Sequence, residues 1–220
     1  MKNTIKNIAM STLAAVTLVT PSASALDMTP HGRAEVMIGD ETSLLDLKVS
    51  QNVTEKLNLF GRAKLTRDNL KHTDTPFAFI DVNYSLGHGI NAVYETQFID
   101  LKDSTLIQPR FGLSYAGKLA KDLSFFTQTS VNITQDKDPK RNGENITNLR
   151  YAPKIGNSDY YGLAQVETCT NFGSDGLNFA TQNFRFGVGK SKLEAGLALN
   201  LKETDKTFSS TIGGFVAYKF

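Results

Sequence analysis

Between residues 57 and 66 the chain reads LNLFGRAKLT, in which Leu57, Leu59, Gly61, Ala63 and Leu65 alternate with Asn58, Phe60, Arg62, Lys64 and Thr66. A repeat of two sends the two sets to opposite faces of an extended strand. The stretch KLEAGLALNL behaves alike, with Leu193, Ala195, Leu197, Leu199 and Leu201 on one face. Twelve segments of this kind fall at about 32–38, 44–50, 57–66, 77–84, 90–98, 106–116, 123–133, 146–152, 160–167, 179–188, 192–201 and 208–220. Nothing after residue 26 carries a convincing apolar period of 3.6, so amphipathic helices do not build this fold. Clusters of Gly, Asn, Asp, Lys and Ser separate the segments, as turns require. In the eighth and ninth segments the phase is ambiguous, and around YYGLAQVE either set could be the apolar one.

Alternation alone also fits a soluble antiparallel sandwich with one face inward. Charge and aromatic placement separate the two. Apart from Lys192, which opens the eleventh, the segments hold fourteen charged residues: Arg33, Glu35, Asp46, Lys48, Arg62, Lys64, Asp81, Glu95, Arg110, Arg150, Glu167, Arg185, Glu194 and Lys219. All lie on the less apolar phase, Glu167 depending on the ambiguous ninth segment. The apolar phase carries bulky aromatics near segment ends, namely Tyr84, Phe98, Tyr115, Phe125, Tyr151, Phe184, Tyr218 and Phe220. The opposite phase reads as small, polar and charged throughout. Apolar outward, polar inward, with aromatic girdles, is the pattern of a transmembrane β-barrel. The fold class is therefore all-β, a transmembrane antiparallel up-and-down barrel of twelve strands, ten being the alternative count.

The N-terminal segment MKNTIKNIAMSTLAAVTLVTPSASALD places Lys2 and Lys6 before an apolar run from Ile8 to Val19. The small residues Ala23 and Ala25 then flank a cleavage point. This is a signal peptide, and its apolar run is too short to span as a helix. Residues 1–25 are read as the cleaved leader and residues 26–220 as one barrel domain. The leader holds two bases and no acid, so the net charge of +2 belongs to it, leaving 22 bases and 22 acids. Bulk charge thus points to no polyanion partner and no nucleic acid. Cys169, the one cysteine, allows no internal disulfide and reads as an incidental loop thiol.

With the mature N-terminus in the periplasm, the odd-numbered connections 39–43, 67–76, 99–105, 134–145, 168–178 and 202–207 face outward. The even ones, 51–56, 85–89, 117–122, 153–159 and 189–191, average shorter, and the longest, TQDKDPKRNGEN, falls on the outer side, as bacterial barrels have it. Pro76, Pro139 and Pro153 fit loops or strand ends. Pro109, inside the sixth segment, is expected at a strand entry or bulge.

Two stretches share one spacing, Val49-x3-Val53-x3-Leu57 and Tyr115-x3-Leu119-x3-Leu123. They resemble the periplasmic hairpin turns of Gram-negative outer-membrane β-barrel proteins. The ending VAYKF, with Tyr218 and Phe220, looks like the terminal signal that the barrel assembly machinery reads. In size and apparent strand count the chain is similar to twelve-stranded barrels such as the oligogalacturonate-specific and sialic-acid-specific porins and the nucleoside channel, with no long shared motif. The resemblance implies an outer-membrane location, membrane lipid and the assembly machinery as partners, and small hydrophilic solutes in the lumen.

Two functions then compete. Eight of the fourteen inward charges are basic and six acidic, which gives an open pore a weak anion preference centred on Arg62 and Lys64. Alternatively, opposite charges pair across the lumen and fill it, since twelve strands lie between filled and open barrels. An outer-membrane lipase or protease needs a histidine dyad at the outer rim. His31 begins the first segment, His88 sits in a turn, and only His72, near Asp74, lies in an outer loop. No spacing suits a metal or a cofactor, and the reading is non-enzymatic.

Overall fold

The structure, a computed structural model, describes residues 29–71, 73–101, 104–132, 142–173 and 176–220. The leader, with Ala23 and Ala25, lies outside the described residues, as does His72. Twelve strands follow in chain order: β1 (His31–Gly39), β2 (Thr42–Asn52), β3 (Leu57–Asp68), β4 (Thr73–Gly87), β5 (Ile90–Leu101) and β6 (Ser104–Ala120), then β7 (Leu123–Asn132), β8 (Gly143–Tyr151), β9 (Tyr160–Gly173), β10 (Gly176–Lys190), β11 (Leu193–Thr204) and β12 (Phe208–Lys219). Each pairs antiparallel with its sequence neighbours, and β1 closes on β12, so the sheet is a closed barrel without an edge. Closure satisfies the backbone hydrogen bonds, the requirement for crossing hydrocarbon with strands.

The apolar phase faces out. Leu197 is 68 % exposed, Ile212 63 % and Val216 55 %, while the intervening Phe215 is 3 % exposed and Ala217 1 %. Tyr84, Tyr115, Tyr151, Tyr218 and Phe220 are exposed near the barrel end where β1 starts and β12 finishes, hereafter the terminal end. Lipid-facing Lys or Arg at midplane would cost about 2–4 kcal/mol each, which keeps the strand charges inside.

The strands run further than the alternation indicates, and this alters the loop comparison. At the end away from the termini, β1 turns into β2 over 40–41 and β11 into β12 over 205–207. The 168–178 segment, expected as a loop, is mostly the paired ends of β9 and β10. The connections at the two ends therefore do not differ as a class in length, although 133–142 remains long and 152–159 is its counterpart at the terminal end. Thr favours strands, and Thr170 and Asn171 are held in the ladder by Ala180 and Phe179, so polarity alone placed the boundaries too early.

Two prolines also stand inside strands. Pro76 pairs with Leu65, and Pro109 pairs with Thr96 in a β5–β6 register that runs through it unbroken. Neither marks a bulge or an entry. Among the described residues, each precedes by one residue the first pair with a second neighbour, Phe77↔Ile99 and Arg110↔Asn132. A missing N–H is tolerated where only one side of a strand is paired.

Candidate functional site: a charged belt across the lumen

The inward phase of β2 and β3 places Asp46, Lys48, Arg62 and Lys64 side by side, with Asp46↔Lys64 and Lys48↔Arg62 in register. Arg62 grips Asp46 through two nitrogens, at 2.9 and 2.7 Å. The same Arg62 guanidinium reaches Glu167 of β9 at 2.8 Å. In a ring of twelve strands β3 and β9 stand opposite each other, so this ion pair crosses the lumen. Lys48 lies 2.8 Å from Glu167 and 3.6 Å from Asp46. Glu167 is therefore held by two cations from the far wall, which fixes the phase of β9 that the sequence left open.

A second group lies towards the terminal end. Glu194 is contacted by Arg33 at 3.2 Å, by Arg150 and Lys219, and by the Tyr161 hydroxyl at 2.8 Å. Arg33 also holds Glu35 at 2.7 Å, and Glu35 takes Arg185 from β10 at 2.8 Å. Tyr161 faces Gly189 in the β9–β10 register, and a Cβ on Gly189 would sit 2.1 Å from its ring. The glycine makes room for the ring, and the ring brings its hydroxyl to Glu194. Between the two groups remains a gap of about 20 Å³ lined by Arg33, Glu35, Asp46, Lys64 and Arg185, room for about one water.

A third group sits across β4 to β8. Arg110, 1 % exposed, lies 3.5 Å from Glu95 and 3.7 Å from Glu144. Gln97 donates to Glu95 at 2.7 Å and to Glu144 at 3.2 Å. Gln128 donates to Glu95 at 2.9 Å and to Asp81 at 3.4 Å. These side chains are buried, so polar groups rather than water occupy this part of the barrel. Buried charges need such partners, because an unpaired one loses its hydration without return.

The belt thus brings together thirteen of the fourteen charged residues expected to line the lumen through ion pairs or amide hydrogen bonds. Lys64 is the exception: it lines the gap and has no ion-pair partner among the described residues. Glu144 escaped sequence reading because it was assigned to the 134–145 loop, whereas β8 begins at Gly143. Cys169 likewise lies in β9, paired with Ile146 and Thr181, rather than in a loop.

The inward face is also less uniformly polar than the alternation suggests. Met37, Leu44, Leu163, Ala198, Phe215 and Ala217 form a buried cluster on the β9–β12–β1–β2 side. Phe60 and Phe79, ring centroids 5.8 Å apart, stand inward on the other side with Phe126 and Ile146. They border a cavity of about 530 Å³ that runs from the terminal end, past Ser50, Asn58, Asn83 and Asn91, to Arg62 and Glu167. In PFAFIDVNY both phases are apolar, so Phe77 and Phe79 gave no contrast.

No protein-family model matches this chain, and no curated protein matches it. Solved structures do. A NanC porin superposes with a TM-score of 0.53 at 12 % identity, over 87 % of this chain and 99 % of its own. A KdgM porin gives 0.52 at 10 % identity, over 86 % and 99 %. The COG4313 outer-membrane channel from Pseudomonas putida F1 gives 0.50 at 11 % identity, over 92 % and 100 %. The likeness is one of fold: a closed antiparallel barrel of porin type.

Proposed function

We propose that the protein is a porin-like channel of the bacterial outer membrane. It is exported by a leader cleaved after Ala25 and passes small hydrophilic solutes through a narrow lumen. The barrel fold shared with outer-membrane porins and the outward apolar phase support the location. In this reading the termini face the periplasm, and Tyr218 and Phe220 serve the assembly machinery.

The observation that carries the reading is the Arg62–Glu167 pair at 2.8 Å between opposite walls. It meets the inner limit of the 530 Å³ cavity and makes the constriction. Among the described residues, side chains from opposite walls set the bore here. Charged rings at close quarters act on passing ions by their local field. The belt and the gap together hold eight basic and seven acidic side chains, Glu144 included, so ion selectivity is slight and falls to the anion side through Lys64. Planar-bilayer recording on the refolded protein tests this: small discrete current steps with weak anion preference are expected. The cross-lumen pairs also favour a second reading, a structural barrel closed by its own side chains, and absence of steps would establish it.

A further inference from the structure

We infer that the cavity beside the belt is a binding site for an uncharged saccharide of one or two rings; the inference rests on the porin-like reading and names its solute. The cavity holds about 530 Å³, within the range of about 300–1,000 Å³ that small-molecule sites occupy. Its apolar wall is formed by Phe60, Phe126 and Ile146, and Phe60 is backed by the buried Phe79 at 5.8 Å between ring centroids. Facing it are amides. Asn58 and Asn91 are engaged with Ser50 and Ser114 at 2.9 and 3.2 Å, whereas Asn83 and Asn148 line the cavity with no side-chain partner among the described residues. Each carries two donors and an acceptor that a ligand can take.

Charge narrows the class. The wall has two cations, Lys48 and Arg62, and two carboxylates, Asp81 and Glu167. Both cations are already committed to Glu167 and Asp46, while Asp81 is buried beside Glu95 in the β4–β5 register and takes the Gln128 amide at 3.4 Å. An anionic ligand would have to displace Glu167 and approach Asp81; a cation would displace Lys48 or Arg62. A pyranoside asks for neither. Its flat C–H face packs on the apolar wall, and its equatorial hydroxyls meet Asn83 and Asn148, an arrangement of apolar wall with few directed polar groups.

Calorimetric titration of the refolded full barrel in amine-oxide micelles tests this with maltose and its anionic analogue maltobionate. Millimolar binding of maltose, with maltobionate weaker, is expected. Phe60→Leu should weaken maltose about tenfold by loss of ring contact, and Asn148→Ala about fivefold by loss of one hydrogen bond. Equal or tighter binding of maltobionate, no maltose binding to the wild type, or maltose affinity unchanged in both folded variants overturns the inference. Bilayer conductance is read separately. Current without maltose binding removes the saccharide site and leaves the channel; maltose binding without current keeps the site and removes the channel.

Discussion

Gly32 and Phe220 exchange both backbone hydrogen bonds, the Gly32 N–H donating to the Phe220 carbonyl at 3.0 Å and the Phe220 N–H to the Gly32 carbonyl at 3.1 Å. They continue the β1–β12 register past Arg33↔Lys219. The Phe220 ring lies over Gly32 so closely that a Cβ there would sit 2.2 Å from it. One residue thus finishes the seam and covers the glycine beside it.

Deleting Phe220 should therefore lower the folded fraction. Two hydrogen bonds worth about 1 kcal/mol each in water are lost, and the exposed seam groups cost more in lipid. Deleting Asn157, exposed in the 152–159 connection, should change little. A deletion at Asn142 would not serve as the control, since its carbonyl accepts from Asn132 at 3.0 Å and from Arg110 at 3.2 Å. Heat-modifiable gel migration reads the outcome; equal folded fractions for the two deletions would refute the seam's role.

Arg110→Met should destabilise the barrel by about 3–5 kcal/mol, the usual cost of orphaning a buried charge. Glu95 and Glu144 would face each other with only amide donors left. Glu144→Gln should be milder, because Arg110 keeps Glu95. Urea midpoints in lipid vesicles give the order, and a Glu144→Gln loss as large as that of Arg110→Met would contradict it.

Lys64→Gln should move the reversal potential towards cations at low salt and have little effect in molar salt. Exposed charges are screened over about 10 Å at 0.1 M and about 3 Å at 1 M. Arg62 carries less of this effect than its neighbour, being neutralised by Asp46 and Glu167. A shift that persists undiminished in molar salt would show that a structural change, not field, is responsible.

The strand count and the facing of nearly every segment were legible because a period of two with segregated charge has one solution in a membrane. The interior was less so. Alternation says which side chains point inward, never which wall they reach. Glu167 on β9 meets Arg62 on β3 across 105 residues of sequence, a contact that depends on ring closure and shear. Phe79 was hidden by apolar neighbours on both phases, and Glu144 by a polar run that reads as a loop until Gly143 starts β8.

The central claim is that Glu167 narrows the lumen by holding Lys48 and Arg62 from the opposite wall, and single-channel recording of Glu167→Gln beside the wild type tests it most directly. The variant removes the shared anion, frees two cations from the cross-lumen contact and leaves them compensated only by Asp46. The account predicts larger unitary steps than in the wild type and a reversal potential displaced towards anions at low salt. Identical steps and reversal potential in both proteins, or no steps in either, would contradict it.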